Sequence, residues 1–314
     1  MKIPYTSSIG YVLHVIMLSF LITVSAGCSL HGTLPQEGPE LQPAGLPLYT
    51  VGTTFVYSDG TWEMVADASP GTVTWRNHRG HVSTGSPDFI QKRTYWETSK
   101  RKGERVIVRR DWPLLPDAES IWPLGKGAEY YYTEQGAWSM DGGRVRTYTY
   151  YGDAKVIGTR RVSVMAGEFD TWVIRVKRYA SKKRLRETIT WYYAPVVGHY
   201  VLMESKRSNP RVPSRRLELL AVIPPQGQML PAFHEVAEKN LQQALEFSRS
   251  GVPVTWSDDV SGLSGKTTPT ATFRLDTGMF CRSYEQELNL PGERKVYYGM
   301  ACRDQSRGWI VPRK

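Results

Sequence analysis

The 314-residue chain is 40% hydrophobic and 22% charged, with a mean hydropathy of −0.40. That composition suits one or two globular domains, and no segment beyond residue 23 is long and apolar enough to cross a bilayer as a helix. Forty Lys and Arg against thirty Asp and Glu give +10; residues 28–227 carry 28 basic and 20 acidic side chains (+8) and residues 228–314 carry 11 and 10 (+1), so the basic surface belongs to the first part. The first element is an apolar run, Tyr11 to Thr23 (YVLHVIMLSFLIT), behind a polar start whose one charged side chain is Lys2. It falls short of the roughly 20 apolar residues that a span needs. A basic start, a short apolar stretch and small residues before a cut make residues 1–27 a secretory signal peptide.

Those small residues, Ser25-Ala26-Gly27, stand directly before Cys28. The tetrapeptide resembles the lipobox of bacterial lipoproteins, which implies that Cys28 is acylated and becomes the mature N-terminus. Ser25 stands where Leu is commonest, and an ordinary secreted protein is the alternative. At ~0.8 kcal/mol per buried methylene, several acyl chains hold a protein firmly on a membrane. Ser29 after the cysteine resembles lipoproteins sorted to an outer membrane. Residues 28–47 then form a tether, because SLHGTLPQEGPELQPAGLP is rich in Pro and Gly and has no period.

Residues 48–224 read as strands separated by turns: TTFVYSDGTWEMVAD, GTVTWRNHRG, KRTYWETS, ERVIVRRDW, EYYYTEQGAWSM, RVRTYTYYG, GTRRVSVMAG, DTWVIRVKRYAS, ETITWYYAP, HYVLMESK and RRLELLAV alternate with period two. Aromatic and β-branched residues dominate them, and Gly, Asp, Asn and Pro punctuate them. Without helices between them, such runs predict one large, basic, antiparallel curved sheet or half-open barrel. In the run from Asp170, Trp172, Ile174 and Val176 share one pleat face; Val173, Arg175 and Lys177 share the other, a basic outer side.

Residues 225–231 read as a linker. Beyond it Phe233, Val236, Ala237, Leu241, Ala244 and Leu245 recur at helical spacing, with Glu235 near the start, Arg249 near the end and Gly251 beyond, predicting an amphipathic helix over 232–250. Strand-like runs follow at 252–257, 269–276, 279–289, 294–302 and 308–312. Residues 232–314 thus form a small α+β domain, one helix covering an antiparallel sheet. With Cys28 spent on lipid, Cys281 and Cys302 make an even pair in an exported chain, which points to a disulfide; two free buried thiols are the alternative.

Catalytic and metal signatures are weak. Gly265-Lys266-Thr267 matches the end of a P-loop, but Val260 occupies the position of its first glycine, so GLSGKTTP (262–269) is expected as a turn between strands. His31, His78, His81, His199 and His234 lack metal-ligand spacing and are expected at the surface. The carboxylate pairs Glu63/Asp67, Glu168/Asp170 and Asp258/Asp259 are expected as solvated turn residues. No cofactor and no enzymatic activity are expected. The basic stretches at 100–102, 160–161, 175–186 and 206–216 would attract lipopolysaccharide, anionic lipid or acidic peptidoglycan fragments; Arg175, Lys177, Lys182, Lys183, Arg184 and Arg186 are the candidate surface. Nucleic acid is the least expected partner of an exported chain.

Toward the C-terminus, Cys281-Arg282-Ser283-Tyr284, then Gly299-Met-Ala-Cys302-Arg303, then Gly308-Trp309-Ile310-Val311 follow in order. Over about residues 232–314 this resembles the C-terminal domain of the 17-kDa (rickettsial-type) surface antigen family of outer-membrane lipoproteins. The glycine-zipper segment often found ahead of that domain is absent. The resemblance implies an outer-membrane location and surface antigenicity, with no enzymatic activity. The leading expectation is therefore a non-catalytic outer-membrane lipoprotein that binds an anionic envelope component. A carrier of lipid or another apolar ligand, and an envelope hydrolase, are the alternatives.

Overall fold

A computed structural model describes residues 36–91, 94–99, 105–110, 121–140, 144–181, 184–225, 231–259, 262–290 and 292–313. Residues 1–27, read from the sequence as a signal peptide, as well as Cys28, Lys182, Lys183 and most of the expected linker, lie outside those residues. In chain order the elements are β1 (Gln36–Glu37), β2 (Thr54–Tyr57), β3 (Trp62–Ser69), β4 (Thr72–Asn77), β5 (Val82–Gly85), β6 (Tyr95–Ser99), β7 (Arg105–Arg110), β8 (Glu129–Met140), β9 (Arg146–Val164), β10 (Gly167–Ser181), β11 (Arg184–Ala194), β12 (His199–Arg207) and β13 (Arg215–Ile223). They continue with α1 (Pro231–Phe247), β14 (Val254–Asp258), β15 (Leu263–Arg274), β16 (Phe280–Leu290), β17 (Glu293–Asp304) and β18 (Gly308–Ile310). This is the expected class: a large antiparallel curved sheet, then one helix on a small antiparallel sheet.

From β2 to β13 each strand pairs with its successor, and β13 returns to β2 through Val222↔Phe55. The sheet curls on itself, pinched where Ser83↔Trp96 and Thr84↔Tyr95 join β5 to β6. Period-two alternation sets the core. In β4, Val73 and Trp75 are buried while Arg76 is exposed, and in β10 Trp172, Ile174 and Val176 pack with Tyr193 and Val156. Val173, on the face shared with Arg175 and Lys177, is buried as well, in the cluster holding Phe169 and Val162, so that outer face is covered at its start.

Three local readings change. The sequence splits RVRTYTYYG from GTRRVSVMAG at Gly152, whereas β9 runs unbroken through both; Gly152 is there because the Tyr132 ring occupies the space that a Cβ would need. Residues 36–47, expected as tether, lie along the sheet instead: Gln36 pairs with Arg161, Ala44 bridges Leu124, and the Gln42 carbonyl accepts from Trp172 Nε1 at 3.3 Å. GLSGKTTP is not a turn but the start of β15, where Gly265 faces Trp256 across the β14 ladder; a Cβ there would stand 2.7 Å from the indole nitrogen.

The small sheet runs β14-β15-β16-β17-β18 and sits between two partners. Cys281 and Cys302, directly opposite on β16 and β17, form a disulfide and pack against Val56 and Ala221 of the large sheet. The next face of β16 meets α1: Tyr284 packs with Leu241 and Leu245, and Gln286 donates to the Ala237 carbonyl at 3.3 Å. Gly299 lies where both layers crowd, its hypothetical Cβ 2.7 Å from the Tyr284 ring and 3.1 Å from Ala221. Gly299→Ala is therefore expected to cost about 2 kcal/mol through overpacking, seen as a lowered urea midpoint with an unchanged m-value.

The helix ends at Phe247, short of Arg249. Carbonyls of its last turn run short of intrahelical donors, and Arg282 of β16 meets them: Nη1 lies 2.6 Å from the Leu245 oxygen and 3.5 Å from that of Ala244, which also accepts from the Ser248 amide at 3.0 Å. The expected helix-end cation thus comes from another element. Nearby, Glu246 accepts from Arg303 Nη2 at 2.6 Å and from Trp309 Nε1 at 2.9 Å. The Gln242 amide pairs with both backbone groups of Trp309 at 2.7 and 2.8 Å. The residues carrying the surface-antigen resemblance therefore tie helix to sheet.

Candidate functional site

A cleft of about 670 Å³ opens between β4–β6 and β10–β12. Alternation on β11 sends Glu187, Ile189 and Trp191 into it, and β10 contributes Arg178, opposite Glu187 in the ladder. Across the cleft stand Trp75, Trp96, Glu97 and Phe89.

The floor is built on His199, the first residue of β12 and only 2% exposed. Tyr49 Oη lies 2.8 Å from its Nδ1, and Tyr57 Oη 3.0 Å from its Nε2. A neutral imidazole donates through one ring nitrogen and accepts through the other, so the two hydroxyls play opposite roles. Burial pushes the Tyr57 hydroxyl well above its ordinary pKa, helped by Tyr200 and Glu63. Rings close around: Phe55 and Tyr200 have centroids 4.3 and 4.2 Å from that of His199. A ring held on both nitrogens by phenols and packed on both faces is a structural histidine. His81 is buried too, so neither residue is at the surface as expected. Among the described residues no cluster of three or more His, Cys, Asp or Glu could hold a metal ion.

The walls carry charges in opposed sets. Glu187 stands 3.7 Å from Arg178 Nη1 and 3.8 Å from Arg207 Nε, and accepts from Ser205 Oγ at 2.8 Å. Arg178 Nη2 donates to the Ile90 carbonyl at 3.1 Å, while Arg178 Nε and Trp191 Nε1 are buried with no hydrogen-bond partner. Glu97 accepts from the Val82 amide at 2.9 Å and from the Tyr95 hydroxyl at 3.2 Å. Asp88 caps the turn at Ile90 with a 3.0 Å bond, and burial raises its pKa from 3.8 to about 6. Among the described residues these carboxylates hold backbone amides, arginines and the Ser205 and Tyr95 hydroxyls.

Of the predicted anionic-ligand residues, the described ones, Arg175, Lys177, Arg184 and Arg186, are not among those lining the cleft. Arg175 and Lys177 occupy one face of β10, opposite Thr190 and Thr188, with Arg175 beside Lys155 of β9. Arg175, Arg184 and Arg186 are exposed, and Arg186 lies over the Tyr150 ring at 5.4 Å and donates to its hydroxyl at 3.1 Å. The carboxylates expected in turns lie on strands instead, Glu63 and Asp67 on β3, Glu168 and Asp170 on β10 and Asp258 on β14. Asp170 is bound to Arg161 at 2.8 Å, which holds its carboxyl below the usual range.

No family model matches the chain. The 17 kDa surface antigen of Rickettsia felis is 40% identical over 76 residues, 24% of this chain and 48% of that protein, and the R. bellii protein is 36% identical over 77 residues. The chain spans about half the length of these relatives. A solved structure, the hypothetical lipoprotein YmcC from Escherichia coli, aligns with 60% of this chain and 91% of its own at 10% identity and a TM-score of 0.36.

Proposed function

We propose that the chain is a non-catalytic outer-membrane lipoprotein that holds an envelope ligand in the cleft between β4–β6 and β10–β12. The observation that carries this reading is the cleft itself: about 670 Å³ of space walled by aromatic rings and polar groups that are already oriented by one another. The surface-antigen relatives support an envelope-associated, non-enzymatic protein. The residues that carry the resemblance in this sequence, Arg282, Arg303 and Trp309 among them, do structural work here, tying α1 to the small sheet. The exposed Arg175, Arg184 and Arg186 serve a second contact, with anionic lipid or lipopolysaccharide. The carrier reading asks for an apolar lining, and the charged walls depart from it.

Two measurements test the proposal. Cys28→Ser is expected to move the protein from the membrane pellet to the soluble fraction, and a variant that stays in the pellet removes the lipid anchor. Native mass spectrometry of protein purified from its own envelope is expected to show a non-covalent adduct of defined mass. Protein free of any adduct, with a melting temperature unmoved by envelope extract, removes the ligand-binding role.

A further inference from the structure

Resting on Cys28 as a lipid anchor, we infer that the anchored body also docks on the bilayer through an apolar contact at one end of its sheet, built on Leu48 and Val196. Exposed apolar side chains gather there. Leu46, Leu48 and Val51 follow closely in one loop, and Val196 lies in the turn between β11 and β12. Leu48 is 94% exposed and Val196 64%. They flank a depression of about 250 Å³ whose walls include Val197, Val222, Tyr297 and Tyr298. Gathered apolar surface of this kind marks a contact site. The backbone that displays it is tied down on both sides. The Gly52 amide donates to the Val65 carbonyl at 2.7 Å, Tyr49 Oη lies 2.8 Å from His199 Nδ1, and the Val197 and Gly198 amides both donate to the Ala194 carbonyl at 3.0 Å.

Strand register selects the bilayer as the occupant. Gln36, the first described residue, pairs with Arg161 of β9, which pairs with Asp170 of β10. Two residues on, Trp172 pairs with Tyr193 of β11, which puts the start of the turn at 195–198 in the same row as Gln36. Three strand spacings, about 14 Å, separate the two. Eight residues lead from Cys28 to Gln36 and span at most about 28 Å. An acylated Cys28 therefore keeps this end of the sheet within reach of the bilayer, whereas Arg184 and Arg186 lie at the far end of β11. At the rim of the depression Arg294 is paired with Glu287 and Lys295 with Glu293, so the contact is apolar and not ionic.

Leu48→Cys, Val196→Cys and Arg211→Cys variants of the full lipidated chain test this. Each offers one free thiol once Cys28 is acylated, because Cys281 and Cys302 are joined. The thiols are labelled with the fluorophore NBD, and the protein is reconstituted into mixed phosphatidylethanolamine and phosphatidylglycerol vesicles whose acyl chains carry bromine. Labels at 48 and 196 are expected to shift to the blue and be quenched, at low and high salt alike. The label at 211, beyond the other end of β12, should do neither. Leu48→Ser should lower the docked-to-free ratio read from the label at 196 about tenfold, the weight of one apolar side chain returned to water. Both sites are exposed, so the fold should survive each change. Quenching at all three positions, or at 211 alone, overturns docking through this end. A blue shift without quenching puts a second copy of the chain on the patch and overturns the bilayer as its occupant. Protein that floats with the vesicles while its labels stay unshifted and unquenched overturns the docking and leaves the anchor standing. Protein that does not float overturns the anchor and the docking with it.

Discussion

Replacing Arg282 by Met is expected to destabilise the protein by about 3 kcal/mol. The side chain is 7% exposed and stands against the C-terminal end of α1, with Nη1 2.6 Å from the Leu245 carbonyl. Met fills a similar volume, so the loss is polar. A buried acceptor left without its donor costs about 1–3 kcal/mol, and removing a cation from the negative end of a helix costs about 0.3–2 kcal/mol more. Against this stands the cost of burying the guanidinium, whose Nε finds no partner. Lys, which keeps the charge but not the forked donors, should fall between. Arg303 supplies the contrast: its ion pair with Glu246 is 2.6 Å long but its side chain is 59% exposed, so Arg303→Met is expected to cost under about 1 kcal/mol. Urea melts of the three variants decide the matter. An Arg282→Met variant no weaker than Arg303→Met would show that the helix end is served by something else.

That contrast also shows what the sequence makes legible. Period-two alternation marks nearly every strand of the large sheet, because a half-buried pleat leaves its pattern in consecutive residues. A 3.6-residue spacing of apolar side chains marks α1 within a few residues, because one stripe of the helix is buried. What it does not carry is which element meets which. Arg249 is the nearest cation in sequence to the end of α1, yet the helix is capped by Arg282, which the β16 strand delivers from 37 residues away. Glycines mislead in the same manner: Gly152 and Gly265 read as punctuation, and both are seats for an aromatic ring on a neighbouring strand.

The cleft is the least legible part. Arg178 belongs to the stretch read as a basic outer surface, but it stands one pleat out of phase with Arg175 and Lys177, and so enters the sheet's concave side opposite Glu187. A visible signal was the series Glu187, Ile189, Trp191, which places a carboxylate on the same face as two apolar residues. A charge in phase with a buried face points to an interior partner or a site. His199 gave no such signal, because Tyr49 and Tyr57 reach it from about 150 and 142 residues away.

Asp88→Asn is expected to stabilise the protein at neutral pH by up to about 3 kcal/mol. Asp88 is 5% exposed and its carboxyl pKa is raised from 3.8 to about 6, with burial as the leading cause; about two pKa units correspond to roughly 3 kcal/mol. Between these two values the folded chain holds a proton that the unfolded chain has released. Stability therefore falls as pH rises through this window and is lowest, for this group, above about 6. Asn keeps the oxygen that accepts from the Ile90 amide at 3.0 Å and carries no charge to desolvate. The variant and the wild type should melt together near pH 4 and separate progressively to pH 7. Carboxylates held by partners, such as Asp170 by Arg161 and Glu287 by Arg294, act in the opposite direction and lose their contribution on acidification. They are common to both proteins and cancel in the difference. A gap in melting temperature that is the same at pH 4 and pH 7 would mean that Asp88 is not the group that titrates in the wall of the cleft.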